Sequence, residues 1–195
     1  MKTEEAYNNW AETYDKVDNP TRSLDEKVVK HILKDIRCKD IVEAGCGTGK
    51  SSVWFAENCK SLKSLDLATE MIRIAKEKII KSNAEFFIHD ITKSWPFDNE
   101  SCDLVSTNLV LEHIENINFV FAEAFRILRE NGPLFICELH PLKQKEGTVA
   151  RFKDKNTEKE IRLVSYYHSK DDFSRAGENA SFRMIEDNDW FDDTN

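Results

Sequence analysis

Three glycines at alternate positions, Gly45, Gly47 and Gly49, follow the apolar pair Ile41-Val42 and the acid Glu43. Losing three Cβ atoms lets a backbone turn sharply and lets a ligand lie against it. The loop passes through Cys46 and Thr48 into Lys50-Ser51, where a helix is expected, and free N–H groups there favour a negative ligand group. Three nucleotide-binding chemistries use such a loop. A phosphate-binding P-loop needs glycine at 44, where Ala44 stands, although a looser form matches through Gly49-Lys50-Ser51. It also needs an acidic magnesium ligand at the end of another apolar strand. Asp103 instead begins its strand, and Lys63 and Ser64 interrupt the run before Asp66. A dinucleotide loop needs a small residue at 50 for close helix–strand packing, and Lys50 obstructs it. The third chemistry uses Glu43 as well. A carboxylate at a strand end can accept hydrogen bonds from loop N–H groups, as a cap alone or beside the cationic end of a ligand.

Other residues fall at the ends of expected strands. Asp66, in Leu65-Asp66-Leu67, stands 17 residues after Gly49 and can accept both hydroxyls of a ribose. Met71 follows closely, with plain core as its competing role. His89-Asp90-Ile91 and Asn108 to His113 follow two further apolar runs.

The elements that would position these residues alternate. Ser23-Leu24-Asp25-Glu26 has the form of a capping box, and apolar residues at helical spacing predict a helix over 23–37. Short apolar runs predict strands over 40–44, 62–65, 84–89, 103–108 and 134–139, with helices over 51–58, 70–81 and 117–128 between them. This order implies an α/β fold, a doubly wound parallel sheet with helices on both faces. Ligands in such sheets bind beyond the carboxyl ends of the strands, where strand order reverses. The charged stretch 153–160 is expected at the tip of a hairpin whose second strand covers 161–167.

Composition narrows the partners. The chain has 195 residues, of which 28 are basic and 36 acidic, a net charge of −8. That balance opposes a nucleic-acid backbone, and no apolar run is long enough to span a membrane. The five cysteines, Cys38, Cys46, Cys59, Cys102 and Cys137, form no C-x-x-C pair, so no zinc site or disulfide framework is expected. With a polar N-terminus, a cytoplasmic location is the expectation.

Taken together, Glu43-x-Gly45-x-Gly47-x-Gly49, Leu65-Asp66-Leu67 with Met71, His89-Asp90-Ile91 and Asn108 to His113 resemble the motifs of class I S-adenosylmethionine-dependent methyltransferases. The spacing from Trp95-Pro96-Phe97 to Cys102-Asp103-Leu104-Val105 is similar too, and the resemblance covers roughly Tyr7 to Phe191. It implies S-adenosylmethionine as cofactor, no metal, and a small-molecule methyl acceptor. The residues it implies for the cofactor are Tyr14, Glu43, Gly45, Cys46, Gly47, Gly49, Asp66, Leu67, Met71, Asp90, Ile91 and Asn108. Asp90 would accept from the adenine amine, the next N–H would meet the ring, and Tyr14 would close over the methionine end. His113 and His140 are the candidate bases, since a hydroxyl or ammonium acceptor needs a group titrating near neutrality.

The same resemblance implies one domain over 1–195. Residues 1–37 would form an N-terminal helical lid, 38–140 the cofactor core, and 141–195 a hairpin insertion and acceptor-side region. Ser181 to Glu186 looks like a sixth strand, but the final antiparallel strand of the family is missing. The expectation is that the hairpin strand or a second copy of the chain covers the open sheet edge. A cofactor-binding protein without turnover and a P-loop nucleotide hydrolase stand as the alternative functions.

Overall fold

A computed structural model describes residues 2–35, 39–154 and 157–191. Ile36 and Arg37 at the expected end of the first helix, Cys38, the hairpin-tip residues Lys155 and Asn156, and the tail from Asp192 lie outside the described residues.

Five strands form the central sheet: β1 (Asp40–Ala44), β2 (Ser61–Asp66), β3 (Ala84–Ile88), β4 (Leu104–Asn108) and β5 (Leu134–Cys137). Their order is β3-β2-β1-β4-β5 and every pairing is parallel. The winding therefore reverses between β1 and β4, the place where this architecture leaves a crevice. Alternation along β1 loads both faces. Val42 and Ala44 join a core with Trp95, Val120, Phe121 and Ile127, whereas Ile41 joins Val29, Phe55 and Ala56 on the other side.

Helices α1 (Thr3–Tyr14) and α2 (Pro20–Ile32) precede the sheet, and α3 (Lys50–Asn58), α4 (Thr69–Lys78) and α5 (Asn118–Ile127) connect its strands. The start of α2 differs from the capping-box expectation. Asn19 accepts the Arg22 N–H at 3.0 Å, and Pro20 occupies the first turn, so Ser23 lies inside the helix.

After β5 come the short helix α6 (Pro141–Lys145), strands β6 (Arg151–Lys153) and β7 (Glu160–Arg162), and helix α7 (Lys170–Asn179). The hairpin forms, but β6 and β7 make a separate two-stranded sheet and do not cover the edge of β5. Phe152 of β6 is drawn instead onto the Trp10 ring of α1, stacked at 5.3 Å, with Ala6 and Leu163 closing the cluster. The expected strand over 181–186 is absent. Ser181 takes a left-handed φ of 68° and Ile185 is 81% exposed, so the segment has no partner strand and no core to enter.

Candidate functional site

The glycine loop leaves β1 and is held by the end of β2. The N–H groups of Gly45 and Cys46 both donate to the Leu65 carbonyl, at 2.8 and 2.9 Å. The Gly47 N–H donates to Asp66 Oδ2 at 2.7 Å, and Gly49 N–H returns to the Cys46 carbonyl at 2.9 Å. All three glycines have positive φ, but their surroundings differ. A Cβ on Gly45 would meet Val110 at 2.7 Å, whereas one on Gly47 would meet nothing within 4 Å. Gly45 is thus needed for packing, and Gly47 turns its bare side toward open space. Burial of Cys46 pushes its thiol well above the usual range, which makes it wall and not nucleophile.

Residues from four elements converge on this loop. Asp66 uses its second oxygen, Oδ1, to accept the Ala68 N–H at 2.8 Å. Burial raises its carboxyl, and the N–H groups of Ala68, Gly47 and Leu67 pull it back. Met71 is fully buried with Ala11 and Ala68, and Tyr14 packs on the same cluster. Burial lifts the Tyr14 phenol to about 12, so it is a neutral hydroxyl. The Arg22 guanidinium sits 4.0 Å from the Tyr14 ring centre and donates to its carbonyl at 2.6 Å. At the end of α1, Asp15 Oδ1 accepts the Thr48 hydroxyl at 2.9 Å, binding the N-terminal helix directly to the loop.

Asp90 forms a local turn, its Oδ1 accepting the N–H and hydroxyl of Thr92 at 2.9 and 2.7 Å. Ile91 is buried beside it, with its carbonyl taken by the Trp95 indole at 3.0 Å. Asn108, at the end of β4, donates to Asp25 Oδ1 at 2.8 Å and accepts the Ser106 hydroxyl at 2.6 Å. The chain then turns through Leu109 at φ 51°, a strained conformation for leucine.

Glu43 behaves otherwise than the loop-capping expectation. Its Oε2 accepts the hydroxyls of Ser52 in α3 and Ser64 in β2, the latter at 3.0 Å, and these are its partners instead of loop N–H groups. Burial drives its carboxyl up to about 7, opposed by the two hydroxyls and reinforced by Asp25 and Asp66.

The two candidate histidines are both engaged. His113 Nδ1 faces the Val164 carbonyl at 2.9 Å, and a carbonyl can only accept, so the proton lies on Nδ1. The bare Nε2 then accepts the Tyr7 hydroxyl at 2.8 Å. His140 caps α6: its Nδ1 accepts the Leu142 N–H at 3.2 Å, while Nε2 stands 3.2 Å from Asp189. This arrangement spends both nitrogens of His140 on local structure, contrary to the expectation of a pocket-lining base.

Sequence reasoning did not single out Tyr7 as a hydrogen-bonding group, nor Glu112 and Glu138 as site residues. Glu138 Oε1 accepts the N–H groups of Val110 and Leu111, both at 2.9 Å. Glu112 Oε2 accepts the Ser165 hydroxyl at 3.2 Å. Their polarity at the ends of β4 and β5 was the available signal, since charged residues at strand ends inside an apolar frame need a reason.

Neither competing loop chemistry fits. Lys50 points away from the loop, donating to the Arg22 carbonyl at 3.2 Å and pairing with Glu26 at 3.3 Å. Asp103 lies at the amino end of β4, accepting the N–H groups of Lys39 and Asp40 and pairing with Arg129 at 2.5 Å. A P-loop would need both on the phosphate side. The parallel sheet, its switch point and this glycine loop define a Rossmann-like fold with a nucleotide-type binding loop.

Comparison with known proteins agrees. Residues 42–136, just under half of the chain, match the family model described as a methyltransferase domain. It is 26% identical over 225 aligned residues to an uncharacterized methyltransferase, AN0656, of Emericella nidulans, covering 95% of this chain and 77% of the relative. Among solved structures, the fold is similar to a methyltransferase complexed with the Haloferax volcanii Trm112 activator (TM-score 0.72, 17% identity, covering 92% of this chain and 77% of that one). It is also similar to the chain of a DhpI–SAM–HEP complex (TM-score 0.69, 20% identity, 88% and 83%).

Proposed function

We propose that this chain is an S-adenosylmethionine-dependent methyltransferase acting on a small-molecule acceptor held beyond the carboxyl ends of β4 and β5, under cover of α1 and the β6–β7 hairpin. One observation carries the reading: Gly47 faces open space in a loop that Asp66 holds from β2 and Asp15 holds from the end of α1. When bound, S-adenosylmethionine supplies an electrophilic methyl group on a sulfonium.

In this reading Gly45, Cys46, Gly47 and Gly49 form the cradle, and Asp66 offers its remaining lone pairs to the ribose hydroxyls. Asp90 and the Ile91 N–H recognise adenine, with Leu67 and Met71 beside it. Tyr14 covers the methionine end, and Asn108 borders it. Glu43 braces the cradle from below through Ser52 and Ser64. His113 orients Tyr7 in preference to taking a proton itself. Holding two reactants in line can contribute about 7–11 kcal/mol without any covalent intermediate. Residues 1–37 then act as lid, 38–140 as donor core and 141–195 as acceptor side.

The reading extends to a cytoplasmic location and to a second copy of the chain covering β5. Support for the latter is that β4 is the strand partner of β5 among the described residues, which leaves its outer edge open. Light scattering tests that contact. Calorimetry with S-adenosylhomocysteine and with ATP–magnesium, followed by a screen of metabolites with labelled methyl donor, tests the function. Transfer of label to a small molecule is the expected result, and label found only on protein or nucleic acid would overturn it.

A further inference from the structure

Glu138 Oε2 is sealed from solvent and, among the described residues, has no hydrogen-bond partner, although Oε1 of the same carboxyl holds two N–H groups. A buried acceptor without a donor is costly, and native structures keep such atoms where something else supplies the donor. Its position is specific. Glu138 directly follows β5, and the N–H it holds on Val110 belongs to the residue against which Gly45 packs. Val110 is therefore a shared wall, with the glycine loop on one side and Glu138 on the other.

The neighbours of this oxygen have one sign of charge. Glu112 and Asp25 both push the Glu138 carboxyl upward, and burial, the largest cause, takes it to about 8. The Tyr7 hydroxyl is itself raised by burial and then by Tyr14, Glu112, Asp66 and Glu138. Asp25 is compensated by Asn108, Cys137 and Lys50. Among the described residues, neither Glu112 nor Glu138 has a lysine or arginine in an ion pair, and the basic nitrogen beside Glu112 is His113 Nε2 at 3.8 Å. Glu138 thus sits in an acidic neighbourhood with no lysine or arginine paired to it.

We propose that Glu138 Oε2 is the recognition atom for the methyl acceptor, and that the group it takes is the nitrogen of an alkylammonium or amine. The inference rests on the small-molecule reading above and names its substrate class. An ammonium supplies the donor to Oε2, and its charge favours the ionised carboxylate that burial and the neighbouring acids disfavour in the empty site, whose proton is released on binding. A neutral alcohol would supply the donor only, and a carboxylate or phosphonate neither.

Methylammonium is the minimal probe, with methanol as its neutral counterpart. Both are titrated into the S-adenosylhomocysteine-loaded protein while the Val110 and Leu111 amide resonances are followed. The expected result is a saturable shift of both amides with methylammonium and none with methanol. Glu138→Gln keeps an oxygen for the two N–H groups and replaces the presented acceptor by a donor, so methylammonium affinity should fall at least tenfold. Glu138→Asp, which keeps the charge, should lose less. No saturable shift with methylammonium, or equal affinity in Glu138→Gln, overturns the proposal. Homocysteine-ligand binding is read separately by calorimetry, so failure of the donor site and failure of the acceptor assignment are distinguishable.

Discussion

The Tyr7 hydroxyl donates to His113 Nε2 at 2.8 Å, joining the first helix to the turn after β4 across 106 residues of sequence. The rings also meet edge-on at 5.4 Å. The bond closes the acceptor side, while the Val164 carbonyl accepts from the opposite nitrogen of the same ring. Tyr7→Phe keeps the ring contact and deletes the bond, leaving Nε2 without its donor. The expected cost is about 1–2 kcal/mol in chemical denaturation. Affinity for S-adenosylhomocysteine should change less than about threefold, a shift worth under ~1 kcal/mol.

Gly45 and Gly47 should separate folding from binding. Gly45→Ala places a Cβ 2.7 Å from Val110 at a φ of 83°, so it combines overpacking with backbone strain. A loss of about 2–4 kcal/mol of stability is expected. Gly47→Ala meets no atom and pays only for its φ of 54°, about 1 kcal/mol. Yet its new methyl would stand where the ligand lies. A thermal melt close to wild type with at least about tenfold weaker homocysteine-ligand binding, ~1.4 kcal/mol, is the expected pair of results.

Glu43 sets a pH dependence of the fold. Its carboxyl is raised from 4.5 to about 7, so the folded state binds its proton more tightly than the unfolded chain. The stability it contributes is complete below pH 4.5 and is lost as pH rises through about 7. Glu43→Gln removes the titration. Relative to wild type the variant should gain stability between pH 4.5 and 8, by up to about 3 kcal/mol. Urea denaturation of both proteins at the two pH values measures this, and a gap independent of pH would refute it.

The bond from Thr48 to Asp15 is expected to set how long a ligand stays in the proposed cradle. Thr48 is buried and its hydroxyl reaches the last turn of the N-terminal region at 2.9 Å. Thr48→Val keeps the shape and removes the donor. Its expected cost is about 1 kcal/mol. Stopped-flow dissociation of the homocysteine ligand should accelerate about fivefold, with the association rate little changed.

Much of this architecture was legible because local signals and tertiary demands coincided. β1 and β4 are short runs buried along most of their length, the other three strands are more exposed, and helices with amphipathic stripes flank them, so periodicity located all five to within a residue or two. The acceptor side was less legible. Helix α7 reads KDDFSRAGEN, too polar to announce itself, and depends on the reciprocal cap between Ser169 and Asp172. Residues 181–186 have strand-like residue types, but a strand exists only where a neighbour offers its edge.

The site divides in the same way. Glycines and acids at strand ends are visible as types at spacings. Which partner each takes is decided by three-dimensional neighbours. The hydroxyls of Ser52 and Ser64 that claim Glu43 lie 9 and 21 residues away, and the orphaned oxygen of Glu138 has no sequence signature at all.

Trp10 has a consequence for timing. Its ring carries Phe152 of the hairpin at 5.3 Å, while the same helix ends at Asp15, bonded to the glycine loop. If α1 acts as the proposed lid, a swing that frees spent donor also loosens the hairpin, so the two exits would share one barrier. Phe152→Ala, remote from the cradle, should then quicken ligand release there. The stack on Trp10 and the bond at Asp15 thus tie hairpin and glycine loop to one helix.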